Sequence, residues 1–346
     1  MSLDELLRAI PKVELHCHLY GAVRKETFAQ LAQTHRAPIS AADIEAYYTR
    51  PPKPWPTSNV MRALDAHLVK QPDDLYRIAL EYLQDAAAQG VRYAEFFWNP
   101  TAPVHAGISY PAAQSAIVRA IRDAEVQPGI TGRLIPAIDR ERGPAAAREM
   151  VQWVIEHRTP EVLGIGIDFN EADHPPELFA EAYAAARRAG LHATAHAGEN
   201  GLTWKNIETA IDVLRVERVD HGYTVIDNPA LARRCAENGI VFLVVPTNSF
   251  YLRTLADDRW AIDHPIRRMA ALGLRIHPNT DNPTLHKVTQ TRVWQMMVED
   301  FAFGLDDIRN FMLNGLDAAW IDASQRSRWR RDWADEFDTL RASLHS

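Results

Sequence analysis

Hydrophobic runs rich in β-branched and aromatic residues recur along the chain at 12–19 (KVELHCHL), 91–98 (VRYAEFFW), 132–138 (GRLIPAI) and 162–169 (VLGIGIDF). Four more follow at 191–197 (LHATAHA), 216–221 (VERVDH), 240–245 (IVFLVV) and 273–280 (GLRIHPNT). Each has the length and composition of a buried strand. Between them lie stretches of helical period, such as 72–90, 144–158 and 176–190; the last opens on Pro176 and stops at Gly190, as helices tend to. Eight alternations of strand and helix predict an α/β protein with a closed (β/α)8 TIM barrel, the open doubly wound sheet being the structural alternative.

About 70 residues separate the first strand from the second, far more than a barrel connection needs. The excess predicts a helical insertion after strand 1, with the stiff proline-rich stretch 50–60 (RPPKPWPTSNV) inside it. Residues 40–60 are a candidate lid over the barrel mouth; the plainer reading is a helical excursion without gating. A C-terminal helical extension ends in RSRWRRDWADEFDTLRASLHS, which reads as a solvated, partly packed helix. No internal repeat, low-complexity segment or linker interrupts the pattern, so one domain over 1–346 is expected.

Composition narrows the function. The net charge of -7 gives a polyanionic partner such as nucleic acid no reason to bind. The hydrophobic share of 47% contains no run of eighteen apolar residues, so no membrane span is expected either. Two cysteines far apart in sequence, and an N-terminus without an export pattern, point to the reducing cytoplasm. A small-molecule substrate fits these bounds. The oligomeric state is not legible.

In a strand alternate side chains share a face, which makes His16 and His18 neighbours at the C-terminal end of the first strand, where barrels collect catalytic groups. The fifth strand ends at His196 with Glu199 just beyond, the sixth at His221, the eighth near Asp281. Each has an ordinary alternative as a hydrogen-bonded rim group. Four strand ends carrying His or Asp at one rim are harder to explain that way, because buried ionisable groups need partners or a cation. Three imidazoles and a carboxylate suit Zn2+ with a further position for water.

Together PKVELHCHLYGA (11–22), GIDF (166–169), HAGE (196–199), DHGY (220–223), HP (264–265) and NTDNP (279–283) resemble, in order, the motifs of the adenosine deaminase family of metal-dependent amidohydrolases. The resemblance implies one zinc per chain held by His16, His18, His196 and Asp281. It makes Glu199 the proton donor to the substrate ring and His221 the group that orients the attacking water, with Asp281 also able to take a proton from it. Asp168, where two-metal relatives carry a bridging lysine at or near the fourth strand, favours a single metal; Glu171 leaves a second weak ion open.

Three positions depart from the family pattern. Tyr20 stands where an aspartate contacts ribose, Glu171 where a glycine approaches the purine, and Asn282 where a second aspartate follows Asp281. These, with His18, are the candidate substrate contacts. YAEFFWNP (93–100) puts aromatics where the family has an arginine-bearing strand, which suits stacking on a flat heterocycle. His105 and His277 are expected to be structural. The expected reaction is zinc-dependent hydrolytic deamination of a 6-aminopurine nucleoside or relative, adenosine first; the alternatives are adenine, an N6-substituted adenine or another amino-heterocycle. The non-enzymic alternative is a purine- or metal-binding protein without turnover.

Overall fold

The computed structural model describes residues 1–54 and 58–345. Eight strands form one sheet in sequence order, each parallel to the next. They are β1 (Lys12–Glu14), β2 (Val91–Trp98), β3 (Thr131–Asp139), β4 (Gly164–Asp168), β5 (His192–Ala197), β6 (Arg218–His221), β7 (Val241–Val244) and β8 (Arg275–Pro278). This is the (β/α)8 order, not that of a doubly wound sheet, which would reverse at a switch point.

Every expected strand is present, but the first is shorter than its hydrophobic run. Regular pairing ends at Glu14, and residues 15–18 then run between two neighbours. Phe97 N donates to Cys17 O (2.8 Å) on one side. On the other, His18 N donates to Asp281 O (2.7 Å) and Asp281 N to His16 O (2.9 Å), closing the barrel between its first and last strands. The same closure brings His16, His18 and Asp281 together.

The strands are buried almost throughout, and amphipathic helices such as Pro72–Ala87, Tyr110–Val126 and Gly143–Glu156 cover them from outside. A buried Arg218–Glu95 pair (2.6 Å) lies inside, with Trp320 N donating to Glu95 (2.6 Å) and the Trp320 ring 4.0 Å from the Arg218 guanidinium carbon. The segment leading into the C-terminal helix Ala323–Ala342 thus supplies an interior contact.

The insertion after β1 contains helices Lys25–Thr34, Ala41–Tyr48 and Ser58–Ala63 and lies across the mouth. Arg62 bonds Glu141 (2.6 Å) beyond β3, while Arg50 donates to Thr247 O (2.6 Å) and Lys53 to Leu255 O (3.0 Å) beyond β7. Of the candidate lid, residues 55–57 lie outside the described residues. No helix among the described residues is long and apolar enough to cross a membrane.

Candidate functional site

A cavity of about 400 Å³ opens at the C-terminal ends of the strands, lined by His18, His196, Glu199, His221, Asp281 and Asn282 among others. The backbone is bent hard there. His221 (φ 66), Asp281 (φ 61) and Phe169 (φ 67) all adopt left-handed conformations without being glycine, which costs energy and concentrates at functional sites. These turns end β6, follow β8 and end β4.

His16, His18, His196 and Asp281 each offer a ligand atom within 4.8 Å of the others, and all four are buried. His18 Nε2 stands 3.1 Å from His196 Nε2 and 3.3 Å from Asp281 Oδ1; His16 Nε2 is 3.6 Å from the same oxygen. Tetrahedral Zn–N and Zn–O bonds of about 2.0–2.1 Å put neighbouring donors about 3.4 Å apart, so the spacing fits such an ion. His16 Nε2 has no hydrogen-bond partner among the described residues. Burial drives the His16 and His196 pKa values down to about 3, keeping their lone pairs free. For His18, burial is outweighed by Asp168 and Asp281, which raise it to about 10: the two carboxylates draw positive charge to this point. The donor set and its field both fit a divalent cation.

The outer ring atoms face polar groups that sequence reading did not assign. His18 Nδ1 is 3.3 Å from Asp168 Oδ2, His196 Nδ1 is 3.2 Å from Asp220 Oδ2, and His16 Nδ1 is 3.4 Å from Leu243 O. A proton on each Nδ1, with a cation in place of the second proton of His18, would leave each Nε2 lone pair aimed at the cluster. Asp220 was readable in principle: it is the register partner of His196. Asn99 Nδ2 in turn holds Asp168 Oδ1 (2.7 Å).

Across the cavity, Glu199 accepts from Asn248 Nδ2 (3.2 Å) and lies 3.8 Å from His221 Nε2. Burial, then the negative charges of Asp281 and Glu171, push its pKa up to about 8. His221 is held neutral by burial and by the neighbouring imidazoles of His16 and His196. The Tyr223 hydroxyl donates to Val245 O (3.1 Å) and accepts from Val245 N (2.9 Å), and it stands 3.3 Å from His221 Nδ1. With its proton committed to Val245, that hydroxyl can only accept from the imidazole, so the His221 lone pair is at Nε2.

Two expected substrate contacts are placed elsewhere. Glu171 does not line the cavity: it is buried beneath it, accepting from Gly198 N (2.8 Å), Glu199 N (3.3 Å) and Asn206 Nδ2 (2.9 Å). The left-handed turn at Phe169 redirects the chain after β4 and carries this carboxylate under the Glu199 loop. Tyr20 is also absent from the lining, its buried hydroxyl facing Asp65 and Trp98. His18 and Asn282 do line the cavity. Asn282 Nδ2 donates to Asp281 Oδ1 (2.7 Å), and its amide rests on Gly21, where a Cβ would come 2.0 Å from Oδ1. Any side chain at 21 would dislodge it. His277 lies away from the cavity, with Nδ1 2.9 Å from Phe311 O and Nε2 3.3 Å from Val13 O, and His105 pairs with Glu149 on the surface.

Fold and site together define a barrel hydrolase of the metal-dependent amidohydrolase kind. The chain belongs to the adenosine deaminase family, whose sequence model matches residues 11–335. An amidohydrolase from Burkholderia ambifaria, crystallised with bound zinc, is 57% identical, covering 99% of this chain and 94% of its own at a TM-score of 0.98. The adenine deaminase of Arthrobacter aurescens is 26% identical over 96% of this chain and all of its own (100%), with a TM-score of 0.86. The curated adenine deaminase of Trichlorobacter lovleyi is 30% identical over 97% of this chain and 95% of its own. The protein is thus a metal-dependent hydrolase acting on C–N bonds, and a binding protein without turnover is set aside.

Proposed function

We propose that this protein hydrolytically deaminates a 6-aminopurine, with adenine rather than adenosine as the leading substrate, using one zinc ion per chain. The order of substrates is revised on two grounds. The relatives above that carry an activity in their names are adenine deaminases. In addition, Tyr20, at the position of the family's ribose-contacting aspartate, is turned out of the cavity, which leaves a sugar without that contact.

His16, His18, His196 and Asp281 are the proposed ligands. Zinc held there would supply an activated water at neutral pH by lowering its pKa. His221, with its lone pair at Nε2, orients that water, and Asp281 accepts its proton. Glu199, protonated, donates to the ring nitrogen beside the amino-bearing carbon, making that carbon electrophilic. Oxygen adds to the carbon, the amino nitrogen takes the proton held by Asp281, ammonia departs, and the remaining hydroxyl proton returns to Glu199, leaving the 6-oxopurine. The Asn282 amide faces the ring as a substrate contact. The buried, unpaired thiols of Cys17 and Cys235 suit a reducing compartment.

The observation that carries this reading is geometric: the Glu199 carboxyl and the His221 imidazole stand 3.8 Å apart, facing a four-donor cluster. Its test is ammonia release by the zinc-loaded protein from adenine, adenosine, adenosine monophosphate and N6-methyladenine. Full zinc occupancy with no ammonia from any of them would overturn it.

Two variants probe the supporting groups. Asp220→Asn is expected to weaken zinc binding about 10–100-fold, because the outer partner of His196 sets its tautomer and basicity; competition with a chromogenic chelator measures this. Glu171→Gln is expected to lower kcat about tenfold with KM little changed. The new amide would point an N–H at a backbone N–H, and leaving buried donors unpaired costs about 1–3 kcal/mol, loosening the loop that holds Glu199. A fall in KM-dependent terms alone would instead assign Glu171 to the substrate.

A further inference from the structure

Beside the catalytic cavity lies a recess of about 90 Å³, and Ser249 and His286 line both. Its volume leaves room for several waters or one tetrahedral oxyanion. Arg50 forms its inner wall. Nη2 of that guanidinium donates to Thr247 O (2.6 Å), whereas Nη1 is fully buried without a partner among the described residues. The Ser249 hydroxyl is likewise buried and unpartnered. No carboxylate lines the recess, and Arg50 makes no ion pair among the described residues.

A guanidinium so placed calls for an anion, since a partly buried charge without a counter-charge costs several kcal/mol. Burial pulls the Arg50 pKa down to about 10, which still leaves it cationic at neutral pH; Asp281 is the acidic group whose charge opposes this fall. A divalent cation bound to Asp281 would cancel that support. Arg253, on the wall of the main cavity, is a second guanidinium without an ion pair among the described residues, whereas Glu141 at the mouth is neutralised by Arg62. The open charge beside the site is positive.

We infer that the recess is an oxyanion subsite in which Arg50 and Ser249 bind a phosphate-like group next to the aminopurine. The group arrives either as part of the substrate, on a tail leading away from the ring, or as free phosphate bound beside a bare base. This rests on the deaminase reading for its neighbour in the main cavity, but not for the binding of the anion. The main cavity exceeds what a purine ring alone fills, and the recess continues it.

The test begins with calorimetric titration of inorganic phosphate into the zinc-loaded protein, Arg50→Gln and Ser249→Ala. Arg50→Gln is expected to weaken phosphate binding at least tenfold and Ser249→Ala several-fold; the serine variant keeps the question open to measurement should the arginine variant fold poorly. Steady-state kinetics then separate the sources. A kcat/KM for adenosine monophosphate at least tenfold above adenosine, with that ratio collapsing in Arg50→Gln, assigns the group to the substrate. Adenine turnover that changes with added phosphate in the parent but not in Arg50→Gln assigns it to free phosphate. Phosphate affinity unaltered by both substitutions overturns the subsite. Phosphate binding through Arg50 in a protein that releases ammonia from no aminopurine would sink the deaminase reading alone.

Discussion

Glu199→Gln is expected to lower kcat for the deaminated purine by a factor of about 10³, with zinc content unchanged. General acid catalysis contributes about 10²–10⁴ in rate, and the glutamine amide keeps the shape and the bond from Asn248 while losing the transferable proton. KM should move little. The pH profile carries a second, independent signature. Catalysis needs the acid form, and burial, followed by Asp281 and Glu171, raises the Glu199 pKa to about 8. A cation at Asp281 offsets the second cause and leaves the first. Activity due to Glu199 is therefore fully present at neutral pH and is lost as pH rises through the raised pKa, the reverse of what an unprotonated carboxylate base would give. Stopped-flow or coupled ammonia assays from pH 6 to about 9.5 resolve the limb. A glutamine variant retaining the falling limb would move the acid role to another residue.

Much of this architecture was legible in the chain because barrels write themselves locally: each strand is a short apolar run, and several carry a His or Asp at or just beyond their C-terminal end. The strand ends marked His16, His18, His196, His221 and Asp281 as candidates, and the family resemblance supplied the ligand set among them. Residues that act across strands could not be read that way. Asp220 reaches His196 because β5 and β6 pair with those two residues in register, and Asp168 reaches His18 from β4 to the segment beyond β1, which are not neighbours in the sheet. Register and curvature fix both contacts, and neither is a local property of sequence.

The loops misled for a different reason. Matching Glu171 and Tyr20 to family positions located their Cα atoms without fixing where the side chains point. A single left-handed residue, Phe169, suffices to send Glu171 beneath the cavity rather than into it. Its negative charge there, after burial and Asp281, helps to raise the Glu199 pKa. The position expected to touch the substrate instead holds the loop that carries Glu199. Arg50 was hidden more deeply still: a proline-rich insertion gives no periodicity from which to infer that its arginine turns inward against Thr247.

Removing a proposed metal ligand should have the largest effect of all. His196→Ala is expected to take zinc from about one per chain to near zero and to abolish turnover, a loss exceeding that of Glu199→Gln, because water activation and the electrophilic pull at the reacting carbon both depend on the cation. Three donors would remain, but the substitution also leaves the fully buried Asp220 facing a void where the imidazole stood, 3.2 Å away in the parent. Thr194 Oγ1, which donates to the other Asp220 oxygen (3.0 Å), compensates only half of that carboxylate. Metal analysis after dialysis, paired with the ammonia assay, separates this from general unfolding, since circular dichroism should still report the helices that coat the barrel. Added zinc should not restore the alanine variant, whereas it should restore parent protein stripped by a chelator. Stoichiometric zinc in His196→Ala, with activity intact, would show that the four-donor cluster is not the centre on which the chemistry runs.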